Sequence, residues 1–276
     1  MRRLRRLRVP VPRVRIPLRR RAPAETFDPE RHMGLLDHLY ELRNRLAKAF
    51  ISLVLGTLLG LFIGEPVLKY LQSPYGREFA VLGPTGGVVA YFRVSLLIGA
   101  ILSIPVVTYQ IMMFVIPGLT AREKRIVLYS LPAIVGLFLV GIMFSWFILI
   151  PPALDFLETF ASDIFRAEWT ADQYLGFVTS LIFWMGVAFE IPLIFFVLGL
   201  IGLVSPRNLL NSWRFAVVGS AIAAALITPT VDPVNMMLVM GPLLALYLAS
   251  ILLVGIGNRI GVPPDVRAQQ VGQSSV

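Results

Sequence analysis

His38-Leu39-Tyr40-Glu41-Leu42-Arg43-Asn44-Arg45-Leu46 decides how this chain is read, because it stands where an arginine-rich tail meets the first long apolar run. Wound as an α-helix, Leu35, Leu39, Leu42 and Leu46 recur at three- and four-residue spacing and form one apolar stripe. His38, Glu41 and Arg45 share another face, where Glu41 and Arg45 are spaced to pair one turn apart. The stretch therefore reads as an amphipathic leading helix that lies in a membrane interface and hands over to a span. A carboxylate held among so many arginines is the feature that needs a chemical account.

Outward from that stretch, the composition sets the class. Hydrophobic residues make up 57% of the 276, mean hydropathy is +0.77 and only 15% of residues are charged. A soluble domain is about half apolar and about a quarter charged, so this is an integral membrane protein. With no cysteine, disulfides, thiolate chemistry and Cys-ligated metals are excluded. The two histidines, His32 and His38, lie outside the apolar runs, and no metal or other cofactor is expected. Metalloprotease, nucleophile-elbow, P-loop and dinucleotide-binding motifs are absent, so the chain reads as a non-enzyme. Gly83-Pro84-Thr85-Gly86-Gly87 is glycine-rich but reads as a turn. The net charge of +9 is concentrated just before a span, which suits anionic lipid rather than nucleic acid.

Three regions are expected. Residues 1–32 carry arginines interleaved with prolines and read as a disordered cytoplasmic tail that sets orientation. It is no secretory signal, since its apolar run starts too late, and Met33 would serve as a start in its own right. Residues 33–257 form the membrane domain, and residues 258–276 a short polar tail. Apolar runs at about 47–64, 90–116, 126–150, 174–204, 214–227 and 236–256 predict an all-α, six-span bundle. Pro105, Pro117, Pro132, Pro151-Pro152, Pro192 and Pro242 should kink it. The fifth run reaches only about 20 Å at ~1.5 Å per residue, so short fifth and sixth spans are expected around Thr228-Pro229 and Asp232-Pro233. Threading six crossings leaves only Lys69, Arg77, Arg93 and Arg166 of the 25 Lys and Arg on the outer side. The positive-inside rule then puts both termini in the cytoplasm.

Three acids are candidates for function. Glu41 lies in the leading helix and has a structural alternative, pairing with Arg45. Glu123 lies in the first inner loop, where Thr120-x-x-Glu123 has the form of a helix capping box. Glu190 lies deep in the fourth run, where a charge costs roughly 2.5–3.5 kcal/mol on insertion scales, so a functional role is the default reading. Its alternative is a hydrogen bond to backbone freed by proline.

Several motifs in order resemble the TatC family, the polytopic subunit of the twin-arginine protein translocase. They are His38-Leu39-x-Glu41-Leu42-Arg43-x-Arg45-Leu46, Ser73-Pro74, Tyr109-Gln110, Arg122-Glu123-Lys124-Arg125, Phe189-Glu190-Ile191-Pro192 and Thr228-Pro229-Thr230-x-Asp232-Pro233. The resemblance runs from about Met33 to about Ile256. It implies a receptor in the cytoplasmic (inner) membrane of a prokaryote for folded cargo proteins with Arg-Arg signal peptides, driven by the proton-motive force. It also implies that the receptor nucleates assembly of the translocation complex.

By resemblance, Glu41 and Glu123, with Arg43, form the signal-peptide site, and two carboxylates suit a pair of guanidinium groups. Glu190 and Gln110 become intramembrane polar positions, and Pro74 and Asp232 belong to a periplasmic-side motif. The last hairpin, at Ala225, Leu226 and Thr228, is implied to dock TatA-type and TatB-type single-span subunits, and further TatC copies are implied partners. Two departures stand out: Met236, beside Asn235, replaces a family glutamine, and a last-span glutamate is missing near Leu248. The alternative from another class is a proton-coupled small-molecule transporter using Glu190.

Overall fold

The computed structural model describes residues 35–115, 121–164, 167–228 and 232–261. The chain divides into two units after Leu39, and the helical bundle belongs to the second. The tail expected over residues 1–32 lies outside the described residues, as do 262–276.

Helix α1 (Leu35–Gln72) is a single helix of 38 residues. The amphipathic stretch is therefore the first part of the spanning helix and not a separate interfacial one. No glycine or proline interrupts the chain between Leu35 and Gly56, so nothing in the backbone ends the leading helix where the span begins. Then come α2 (Gly86–Val115), α3 (Ala121–Phe144), a π-helical turn (Ser145–Leu149) and α4 (Ile150–Thr159). The rest is α5 (Ala171–Phe189), α6 (Ile191–Leu200), the short α7 (Pro206–Asn211), α8 (Trp213–Ile227) and α9 (Pro233–Ile260). No strand forms among the described residues beyond one bridge between Ala80 and Thr170.

Five spans are long and apolar enough to cross a bilayer: α1, α2, α3 through α4, α5 through α6, and α9. Helix α8 is the shorter sixth member, 15 residues or ~22 Å at about 1.5 Å each. The expectation of a short sixth span is corrected, because α9 has 28 residues. Asp232 starts α9 ahead of the apolar run by accepting from the Asn235 N–H at 2.7 Å, and the helix continues through Pro242 to Ile260.

Prolines mark the irregular points. The π turn lies one residue ahead of Pro151 and Pro152, and the intervening Ile150 N–H reaches back five residues to the Ser145 carbonyl. In the fourth span the α-helix ends at Phe189, Glu190 is the hinge, and α6 resumes with Pro192 in its first turn. Pro105, Pro132 and Pro242 lie inside α2, α3 and α9, and Pro66, which was not anticipated as helical, lies inside α1.

Lipid tails supply no hydrophobic drive between helices, so close backbone approach and polar contacts hold the bundle. A Cβ on Gly56 would sit 2.6 Å from the Gly99 carbonyl oxygen, and one on Gly60 2.4 Å from that of Ser95. Tyr91 adds a hydrogen bond from its hydroxyl to the Leu61 carbonyl, 2.6 Å. Helices α6 and α9 pair most extensively, with Gly257 against the Phe196 carbonyl and Gly199 against Val254. The main core gathers Val94, Leu97, Leu149, Leu175, Val178, Leu181 and Met185 around α5. At the end where α1 finishes and α5 begins, Tyr75 packs among the rings of Phe79, Trp169 and Tyr174, and the Tyr174 hydroxyl donates to Leu71 O at 2.9 Å. Arg93 of α2 pairs with Asp172 of α5 at 2.9 Å on the same side.

Candidate functional site

The opposite end, where α1 begins and α2 finishes, carries the cluster that the leading sequence suggested. Glu41 and Arg45 stand one turn apart on α1 and pair: both Nε, at 2.8 Å, and Nη2 of Arg45 donate to Glu41 Oε1. The pair is largely covered, with 16% of the Glu41 side chain and 19% of the Arg45 side chain exposed. Arg45 Nη1 also reaches Gln110 Oε1 of α2 at 3.5 Å, the outer limit of a hydrogen bond. Glu41 Oε2 is buried and has no hydrogen-bond partner.

Gln110, expected as an intramembrane polar position, is thus brought into the same cluster as Glu41. Its signal was available: residues 45 and 110 both lie at the arginine-rich ends of consecutive antiparallel spans. Arg43 points elsewhere on the helix, exposed, with its guanidinium 5.4 Å from the centre of the Tyr40 ring. Glu123 lies in the first turn of α3, five undescribed residues beyond the end of α2. Its side chain lies outside the described residues, as does Thr120 of the expected capping box.

Glu190 occupies the break between α5 and α6. Its N–H bonds to Val187 O at 3.1 Å, and its carbonyl accepts from Leu193 and Ile194, both at 3.0 Å. The side chain is half-buried and Oε1 is covered without a partner. Neighbouring Phe189 packs on Phe144 of α3, 5.3 Å between ring centres. The proline-freed backbone therefore leaves this oxygen unused.

On the far side, Pro74 is exposed in the turn after α1, where the Ser73 hydroxyl closes on Tyr70 O at 2.7 Å. Asp232 grips Asn235 twice, accepting from its backbone at 2.7 Å and its side-chain amide at 3.0 Å. Asn235, which sequence reading did not single out, is 1% exposed and keeps an unpartnered Oδ1. At the end of α8, Ala225 is exposed and Leu226 is 79% exposed, whereas Thr228 is buried and bonds back to Ala224 O at 2.8 Å. Two of those three docking candidates face outward and the third is used within the helix. Among the described residues no group of three or more His, Asp or Glu is arranged to hold a metal ion.

These features define a polytopic helical membrane protein with a carboxylate already holding a guanidinium at one end. The family described as Sec-independent protein translocase protein (TatC) matches residues 37–242. The chain belongs to the TatC family, multi-pass and non-enzymatic components of a protein translocase. The chloroplastic TATC protein of Pisum sativum is 38% identical over 244 residues, covering 85% of this chain and 67% of that protein. The TatC protein of a Synechocystis strain is 36% identical over 223 residues, covering 79% and 87%. A crystal structure described as the twin arginine translocase receptor TatC superposes with a TM-score of 0.73 at 32% identity, covering 80% of this chain and 99% of that one.

Proposed function

We propose that this chain binds Arg-Arg signal peptides of folded proteins at the α1–α2–α3 end of the bundle and nucleates assembly of the complex that exports them. The observation that carries this reading is Glu41, a largely buried carboxylate already engaged by one guanidinium through one oxygen, its second oxygen buried and unpartnered. A guanidinium fork needs two acceptor lone pairs, and Glu123 in the first turn of α3 supplies a second acid for the second arginine. Arg43 and the arginine-rich ends around it meet anionic lipid headgroups beside the site. The end carrying Glu41 faces the cytoplasm, as positive-inside bias requires, with both termini there and Pro74 and Asp232 on the outer side. The host membrane is the inner membrane of a prokaryote. TatA-type and TatB-type single-span helices and further TatC copies are its partners, docking at the exposed Ala225–Leu226 edge. The TatC relatives favour protein export over a proton-coupled small-molecule transporter built on Glu190.

Charge reversal tests the reading. Glu41→Arg and Glu123→Arg should each abolish export of an Arg-Arg signal reporter while the protein accumulates normally in the membrane. Unchanged export in both variants would refute it.

A further inference from the structure

We propose that Arg45 is a resident stand-in for the incoming arginine, so that a signal peptide engages Glu41 by exchange, with Gln110 receiving the displaced Arg45 guanidinium. This rests on the reading of Glu41 as a recognition carboxylate.

Three observations converge. Arg45, one turn along the same helix, places both Nε and Nη2 on one oxygen, Oε1. The preferred guanidinium fork uses both carboxylate oxygens, one donor to each. An arginine from another chain that makes that fork offers Glu41 a better partner than the resident one-oxygen contact. Oε2, the oxygen such a fork needs, is buried without a partner, so the corner must rearrange before it can be reached. Simple addition would also set two guanidinium groups on one carboxylate, whereas exchange keeps its charge balanced.

Gln110 gives the displaced group somewhere to go. Its Oε1 already stands 3.5 Å from Arg45 Nη1, too far for a strong bond and near enough to become one after a small rotation. The exchange also sorts its ligands. A lysine ammonium lacks the planar fork, so it displaces a two-donor contact while offering a single point of charge. Arg45 is therefore a specificity-determining residue: only a group that pairs better than its own side-on contact enters.

The test is equilibrium binding of a fluorescent Arg-Arg signal peptide, and of its Lys-Lys counterpart, to the full-length chain in lipid nanodiscs. Arg45→Gln should tighten Arg-Arg binding about fivefold to tenfold, the scale of one charge-assisted hydrogen bond, and shrink the preference over Lys-Lys. Gln110→Leu should weaken Arg-Arg binding in the native background and have no effect once Arg45 is already glutamine. Arg45→Lys, which keeps the charge and loses the fork, should give an intermediate gain, and it guards against a fold defect in the glutamine variant. Binding unchanged or weakened in both Arg45 variants, with Glu41→Gln still weakening the native chain, overturns the exchange alone. If Glu41→Gln leaves native binding untouched, the recognition role of Glu41 falls with it.

Discussion

At Gly56 an added methyl group would sit 2.6 Å from the Gly99 carbonyl, and backbone cannot swing aside as a flexible side chain would. Gly56→Ala should therefore lower thermal stability in detergent by roughly 1–3 kcal/mol, the usual cost of overpacking. Gly136→Ala, which meets nothing within 4 Å, should leave the melting midpoint unchanged or slightly raised. Glu190 has the opposite balance. Its Oε1 is covered and unpartnered, so Glu190→Leu should stabilise the purified protein by about 1–3 kcal/mol, the penalty of an unmade buried hydrogen bond, while export of an Arg-Arg reporter falls. Stability rising with export intact would remove Glu190 from the working surface. At this scale the sequence was a good guide to pairs on one helix: Glu41 and Arg45 meet at the spacing that suggested it. Gln110 was a named candidate, but its contact with Arg45 was not legible from periodicity, which relates no residues 65 positions apart; only the shared end of two antiparallel spans pointed to it. The environment of Asn235 was equally hidden, since burial of a polar side chain depends on which helix lies opposite.

Elements were legible to the extent that hydropathy marks them. All six apolar runs became helices, yet hydropathy reports the membrane-facing portion and not where a helix stops. Helix α1 therefore runs 38 residues where the apolar run suggested about half that, and α9 begins at its Asp232 cap, ahead of the first apolar residue of its run. The π turn at Ser145–Leu149 follows from paired prolines only once the neighbouring helices are known. Between elements, Arg93 and Asp172 join α2 to α5 at 2.9 Å, and the two side chains are 37% and 52% exposed. Water screens such a pair, so a double-mutant cycle with Arg93→Ala and Asp172→Ala should give a coupling under about 1 kcal/mol. A larger coupling would mean that the pair is desolvated in the bilayer and that helix α5 depends on it for position.

For the molecule as a whole, the distribution of cations gives an orientation that labelling can check. The chain has no cysteine, so single introduced ones report without background. Ser162→Cys, beyond α4, should react with a membrane-impermeant maleimide from outside intact cells. Asn211→Cys, at the end of α7, should react only after the membrane is opened. The reverse pattern would put Glu41 on the outer face, away from any newly made signal peptide, and the recognition role would fail with it. The expected orientation depends on counting charges between runs and on no side-chain geometry, so labelling is its direct check.

The glycine seam between α1 and α2 bears on how the protein is made. Both halves of the seam lie within the first hundred residues, and α1 is the least buried of the long spans. A ribosome that has delivered little more than two helices has thus already supplied everything that this hairpin uses to close. The Glu41–Arg45–Gln110 corner is carried by these two helices alone, whereas Glu123 joins it only when α3 follows.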